Sequence, residues 1–342
     1  MKCKTITSAV LFMLSFIILF HFGVSLRAAD SPRNSGVSGV QMLMNWWSMF
    51  HHDLSHTGFS PSTAPETNHT AWTSRPGGGF EWSSAAIVDD AVYVGSSDGY
   101  VYSLNASTGT VIWNATTGGI VESSPAVVDG SVYVGSYDCR VYALNASTGE
   151  RVWNYTTGDS VHSSPSVVDG IVYVGSNDGK AYALNATDGQ LIWSQTIGPV
   201  GLSSPAVAYG TVYVGSNDHN VYALNASTGA PIWNYTTGNY VSSAPAVAGG
   251  MVFVGSYDSS VYALNSSTGV RIWSYKTDDE VLSSAAVVNG TVFIGSMDGT
   301  FYAFGPENVV PEFSSFLVLP LFMAVTLLTV LVFRRKHLSS SR

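Results

Sequence analysis

Four sets of residues in this sequence are of types that could do chemistry. His51, His52 and His56 lie close together, and imidazoles four residues apart can share a metal ion when a helix brings them onto one face. Gly58, Ser60 and Pro61 follow at once and favour extended or irregular chain, and no Cys or carboxylate cluster completes a ligand set. The stretch is therefore expected to be a lead-in that packs Trp46, Trp47 and Phe50 on the body, with no metal bound. The second set is Asp98, Asp138, Asp178, Asp218, Asp258 and Asp298, spaced forty residues apart. A catalytic carboxylate is needed once, so one that returns in every copy reads as turn chemistry, bound to its own backbone. The third is Cys139, which has no internal disulfide partner because Cys3 lies in a segment expected to be removed. The fourth is a series of asparagines in N-x-S/T context, the acceptor signature for glycosylation: Asn68, Asn105, Asn114, Asn145, Asn154, Asn185, Asn225, Asn234, Asn265 and Asn289.

The elements that must position these residues follow from a repeat. The string VYVGS begins at Val92, Val132, Val172 and Val212, and returns with small changes at Val252 and Val292. A fixed period of forty residues marks a repeat architecture. In the copy spanning 123–158, four strand-like runs occupy 124–128, 131–136, 140–144 and 151–155. Asp129-Gly130 supplies a two-residue hairpin turn, and Val132 and Val134 alternate with Tyr133 at the period of a strand. Four antiparallel strands joined by short turns describe one blade, so the fold class is all-β, a β-propeller. Five copies are complete, each closing on a tryptophan that is expected to dock between blades: Trp113, Trp153, Trp193, Trp233 and Trp273. The sixth stops at Gly305 without one. A strand around Trp72 is expected to complete it, giving six blades in a closed ring; a larger ring would need several strands before Thr70.

The full copies carry AxNxxTGxxxW, as in Ala143, Asn145, Thr148, Gly149 and Trp153, with departures at Ser103 and Asp188. Gly149 permits a positive φ in that turn, and the Asn145 side chain can cap it. This motif resembles the tryptophan-docking motif of the pyrroloquinoline-quinone (PQQ) repeat family, which includes quinoprotein alcohol dehydrogenases and outer-membrane assembly scaffolds of the BamB type. The lead-in 46–65 also looks like the opening segment of archaeal members. The resemblance implies the propeller fold and leaves enzyme and scaffold both open. Quinoprotein enzymes of this kind hold the quinone with a stacked Trp and an adjacent-cysteine disulfide, and a calcium with Glu, Asn or Asp. This chain has no adjacent cysteine pair and no long insertions in its uniform copies. PQQ with calcium is accordingly disfavoured, no catalytic residues are assigned, and a non-catalytic binding or scaffold module is expected, with an oxidoreductase or a structural glycosylated envelope component as the alternatives.

Differences between copies point to where binding would occur. They concentrate in the turn between strands two and three, which includes Tyr137, Arg140, Lys180 and Asn220, and in the link to the next blade, which includes Trp82, Glu122 and His162. In a four-stranded meander these two turns share one face of the disc, so that face is the expected site for a partner, a protein or surface glycan. Nucleic acid is excluded by charge: residues 30–311 hold 7 Lys/Arg against 22 Asp/Glu.

The ends of the chain address it. Residues 1–29 have the form of a secretory signal, with Lys2 and Lys4 before an apolar run and Ala28-Ala29 after it; an uncleaved anchor would give the same export. Residues 30–45 read as a linker, 46–305 as the propeller, and 306–315 as a second linker. The apolar run 316–333 is long enough for a transmembrane helix, and the basic tail 334–342 is expected to stay cytoplasmic, leaving the propeller outside. Pro311-Glu312-Phe313, the apolar helix and Arg334-Arg335-Lys336 together resemble the archaeal PEF-CTERM sorting signal, which implies processing by an archaeosortase and attachment at the cell surface.

Overall fold

The computed structural model describes residues 48–53, 56 and 67–305. Within them the regular structure is entirely β, in six sheets that follow the forty-residue period. The first sheet comprises β1 (Ala86–Val88), β2 (Ala91–Gly95), β3 (Tyr100–Asn105) and β4 (Val111–Thr116), antiparallel in sequence order. The second repeats it as β5 (Ala126–Val128), β6 (Ser131–Ser136), β7 (Arg140–Asn145) and β8 (Arg151–Thr156). Four-stranded sheets at 166–196, 206–236 and 246–276 follow, and the last, 286–304, has three strands. The hairpin between β5 and β6 turns through Asp129 at φ 49° and Gly130 at φ 72°, the doubly left-handed geometry that a two-residue turn between twisted strands requires.

Sheets meet through a junction repeated along the array. Between the first two, Ala86, Tyr93, Val101 and Trp113 on the leading face pack against Val127, Val132, Val134, Tyr142 and Leu144 on the trailing face of the next sheet. The Trp113 indole Nε1 donates to the Ala146 carbonyl at 2.8 Å, and the Tyr93 hydroxyl donates to the same oxygen at 3.2 Å. Gly149, at φ +75°, lies beneath the Trp113 ring; a Cβ there would sit 2.6 Å from it. This glycine therefore answers two demands, a left-handed backbone and room for the indole. Trp153, Trp193 and Trp233 make the equivalent hydrogen bonds to Ala186, Ala226 and Ser266. Trp273 packs instead on Phe253 and Phe304. Near the inner strands, the Ser84, Ser124 and Ser164 amides donate to the hydroxyl of the serine forty residues on, each at 2.9 Å.

Closure by a strand at Trp72 is corrected by the structure. Trp72 docks on the first sheet as Trp113 docks on the second, its Nε1 2.8 Å from the Ala106 carbonyl and its ring over Gly109. Residues 68–76 are nevertheless not in a strand, and none of the described residues pairs with the outer edge of the last strand, Phe301–Phe304. The leading face of that sheet is open: Phe301 is 73% exposed, whereas the equivalent Val101, Val141 and Val261 are fully buried. The trailing face of the first sheet is partly open too, with Ile87 at 40%. The physical reason is that Trp72 is held on the first sheet by its indole hydrogen bond and its contact with Gly109, while the chain around it makes no strand pairing to the last sheet. The expected terminal helices lie outside the described residues.

The histidine-rich lead-in occupies the inner ends of the sheets. The Ser48 carbonyl accepts from the Val127 amide at 2.7 Å, and Met49 joins the core around Ala126, Trp153 and Val161. His51 bonds backbone at Ala285, and His56 bonds backbone at Pro245 and approaches the Ser166 hydroxyl at 3.3 Å. The described residues of this segment thus touch four sheets near the starts of their first strands. His56 is fully buried, and burial, aided by the neighbouring His51, pushes its pKa down to about 3. Phe50 stacks on His51 at 4.2 Å; Trp46 and Trp47 lie outside the described residues.

Candidate binding face

The turn aspartates, read as local turn chemistry, reach further than their own backbone. Asp178 accepts from the Lys180 amide, from the Tyr182 hydroxyl four residues on, and from the Gly158 amide in the link from the preceding sheet at 2.7 Å. Asp98, Asp138 and Asp258 repeat the latch to Gly78, Gly118 and Gly238. Each carboxylate fixes a two-three turn against the incoming link, which makes the face rigid. The tyrosine four residues later is the element that sequence reasoning missed, although its spacing from the aspartate is constant.

Three of the residues singled out by their variation come together. Tyr137 and His162 stack with ring centroids 4.1 Å apart, and Glu122 Oε2 lies 3.9 Å from His162 Nδ1. Burial, reinforced by a hydrogen bond to Glu122, pushes the Tyr137 pKa up to about 12. Burial also holds His162 below the ordinary histidine range despite Glu122, so this contact is a neutral imidazole beside a carboxylate at pH 7. Ser160 and Asn177 hydrogen-bond to the His162 ring and complete the cluster.

Arg140, Lys180 and Asn220 do not join it. They open the third strands and stand opposite Thr156, Thr196 and Thr236 of the outer strands, toward the rim. Trp82 is separate as well and 59% exposed. Around the same face the structure adds Leu202, Tyr240 and Met297 as exposed apolar side chains, Met297 at 63%. Tyr240 also lies beside His219 and Tyr257, at 5.4 and 5.9 Å between ring centroids. Leu202 and Met297 were visible as varied positions; Tyr240 was missed because it precedes the varied position by two residues.

The sequons fall into two classes. Asn105, Asn145, Asn185, Asn225 and Asn265 use Oδ1 to accept two backbone amides in the turn after the third strand. Asn114, Asn154 and Asn234 are exposed on the outer strands. Asn68 is exposed, and Asn289 takes φ 49° in a hairpin turn.

Among the described residues no three His, Cys, Asp or Glu side chains are grouped to hold a metal ion, Cys139 is a single thiol, and the turn aspartates are already engaged.

Repeated antiparallel sheets joined by docked tryptophans define a β-propeller of PQQ-type repeats. The family model of the outer membrane protein assembly factor BamB matches residues 62–200 and 198–308, and the chain belongs to that family. No curated protein matches it. Its fold is similar to that of BamB from Moraxella catarrhalis, at 24% identity and a TM-score of 0.58, covering 65% of this chain and 71% of that one. It is similar to the computationally designed Ika8 protein, at 19% identity and a TM-score of 0.60, covering 66% and 70%. It is also similar to the quinohemoprotein alcohol dehydrogenase ADHIIG from Pseudomonas putida HK5, at 17% identity and a TM-score of 0.64, covering 74% and 57%.

Proposed function

We propose that this chain is a non-catalytic binding or scaffold module that presents the face of two-three turns and inter-sheet links to a partner. The observation that carries this reading is that the face where the copies differ most also carries exposed apolar side chains, Trp82, Leu202, Tyr240 and Met297. Exposed apolar groups on a rigid surface are what a partner can desolvate. Two further features support a module without catalysis: the lead-in packs against the first strands of four sheets, and each turn aspartate is held by a tyrosine hydroxyl. Membership in the BamB family supports a protein partner.

The module is held outside the cell membrane by the apolar segment 316–333, and the Pro-Glu-Phe, apolar and basic pattern makes it an archaeal surface protein of the PEF-CTERM type, glycosylated at its exposed sequons. Proximity labelling from the full chain on intact cells tests the reading. Neighbours should be labelled by the native chain and lost from a Trp82→Ala, Tyr137→Ala, Tyr240→Ala variant of unchanged thermal stability. Retention of the same neighbours by that variant would remove the binding face.

A further inference from the structure

The turn face is specific in charge as well as in shape. Its links and two-three turns carry twelve carboxylates against four cations, Arg75, Arg140, Lys180 and Lys276. Six of those carboxylates are the turn aspartates, each held by the tyrosine hydroxyl four residues on. The others stand in the links, and Asp278 and Asp279 are exposed beside Thr277, in the link that leads toward Met297. The Met297 amide bonds to the Glu280 carbonyl at 2.8 Å, so this acidic link and the most exposed apolar residue of the face are one structural unit.

From the apolar anchors and their acidic surround we infer that the occupant of this face is a basic protein surface, apolar at its centre and ringed by Lys or Arg. The inference rests on the binding-face reading and goes further by fixing the partner's chemistry. A second copy of this chain is the wrong occupant, because two such faces would set like charges against each other. Anionic lipid and nucleic acid are repelled for the same reason. Opposed charge of this kind acts chiefly on the encounter rate and weakens with salt, while the apolar anchors set the residence time.

The test uses the full chain in detergent and three synthetic amphipathic peptides of identical apolar content with net charges of about +4, 0 and −4, read by fluorescence anisotropy. The basic peptide is expected to bind about tenfold more tightly than the neutral one near 50 mM salt, and the advantage should fall to about threefold or less near 300 mM. The Asp278→Asn, Asp279→Asn variant, which removes two exposed charges and no anchor, should lose part of that advantage and leave the neutral peptide unaffected. Equal binding of the three peptides, preference for the acidic one, or no peptide binding at all overturns the inference. Loss of an advantage in chelator would assign it to a bridging cation and overturn it too. If the charge preference fails while Trp82→Ala with Tyr240→Ala still abolishes binding of the neutral peptide, the binding face stands and only its charge selectivity is wrong. Binding of every peptide that survives that double substitution removes the face itself.

Discussion

At the junction of the first two sheets, Trp113, Tyr93 and Gly149 meet in one arrangement, and Trp153, Tyr133 and Gly189 reproduce it at the next. Across the turn face the equivalent link positions hold Trp82, Glu122, His162, Leu202, Ser242 and Leu282, which share no property. Both regions are built by the same forty-residue unit. The junction varies little because its groups are buried against the following copy, and the changes it takes, such as Phe253 for tyrosine and Ser266 for alanine, keep the shape. The face is free to vary because its latches hold the backbone whatever the side chains project. What recurs is therefore architecture, and what differs is where recognition can reside.

Substitutions in the two regions should separate stability from binding. The largest effect is expected at the junction. Trp153→Ala removes a buried indole and one of the two hydrogen bonds to the Ala186 carbonyl, and should cost about 3–5 kcal/mol in chemical unfolding. Gly149→Ala combines a left-handed φ with a contact into the Trp113 ring, and a loss of about 2 kcal/mol or more is expected in the same assay. Asp178→Ala releases one latch and should cost about 1–3 kcal/mol.

Acid should act through the lead-in. The unfolded chain protonates His56 near its ordinary value, while the folded one stays neutral down to about 3, so below the ordinary value the unfolded state binds more protons. Stability should therefore fall as pH drops from about 6.5 toward 3, by up to about 1.4 kcal/mol per unit for this group, with His51 adding in the same direction. Unfolding midpoints measured across that window should show the slope, and His56→Gln should reduce it.

The smallest effect is a gain. Tyr209 takes φ 54° in a hairpin turn and is 73% exposed, on the face opposite the candidate site. Tyr209→Asn should raise the unfolding free energy by about 0.5–1 kcal/mol, because asparagine suits a left-handed turn position. That outcome would mark Tyr209 as drift and distinguish it from Tyr137 and Tyr240.

Much of this was legible in the sequence because each copy corroborates the others. The second strand, at 131–136, matches its observed extent, and the hairpin at Asp129-Gly130 adopts the expected geometry. The docking role of the tryptophans follows from their spacing, though not the carbonyl they share with Tyr93 and its copies, since that bond spans fifty-three residues. Closure at Trp72 misled because the tryptophan reports what it docks on, the first sheet, and not whether the chain around it pairs with the edge of the last strand. The buried position of His56 was equally hidden, since it arises from contacts with several distant copies at once. For the candidate face, variation found Tyr137, Glu122 and His162, which the fold brings together, and also Arg140, Lys180 and Asn220, which it places toward the rim.

The account's central claim is that the turn face, and not the opposite one, meets the partner. Photocrosslinking on intact cells from a reactive residue placed at 137, at 240 or at 209 tests it most directly. Adducts of one defined mass from 137 and 240, with none from 209, is the predicted result. Adducts from 209 alone, or equal adducts from all three positions, would contradict it.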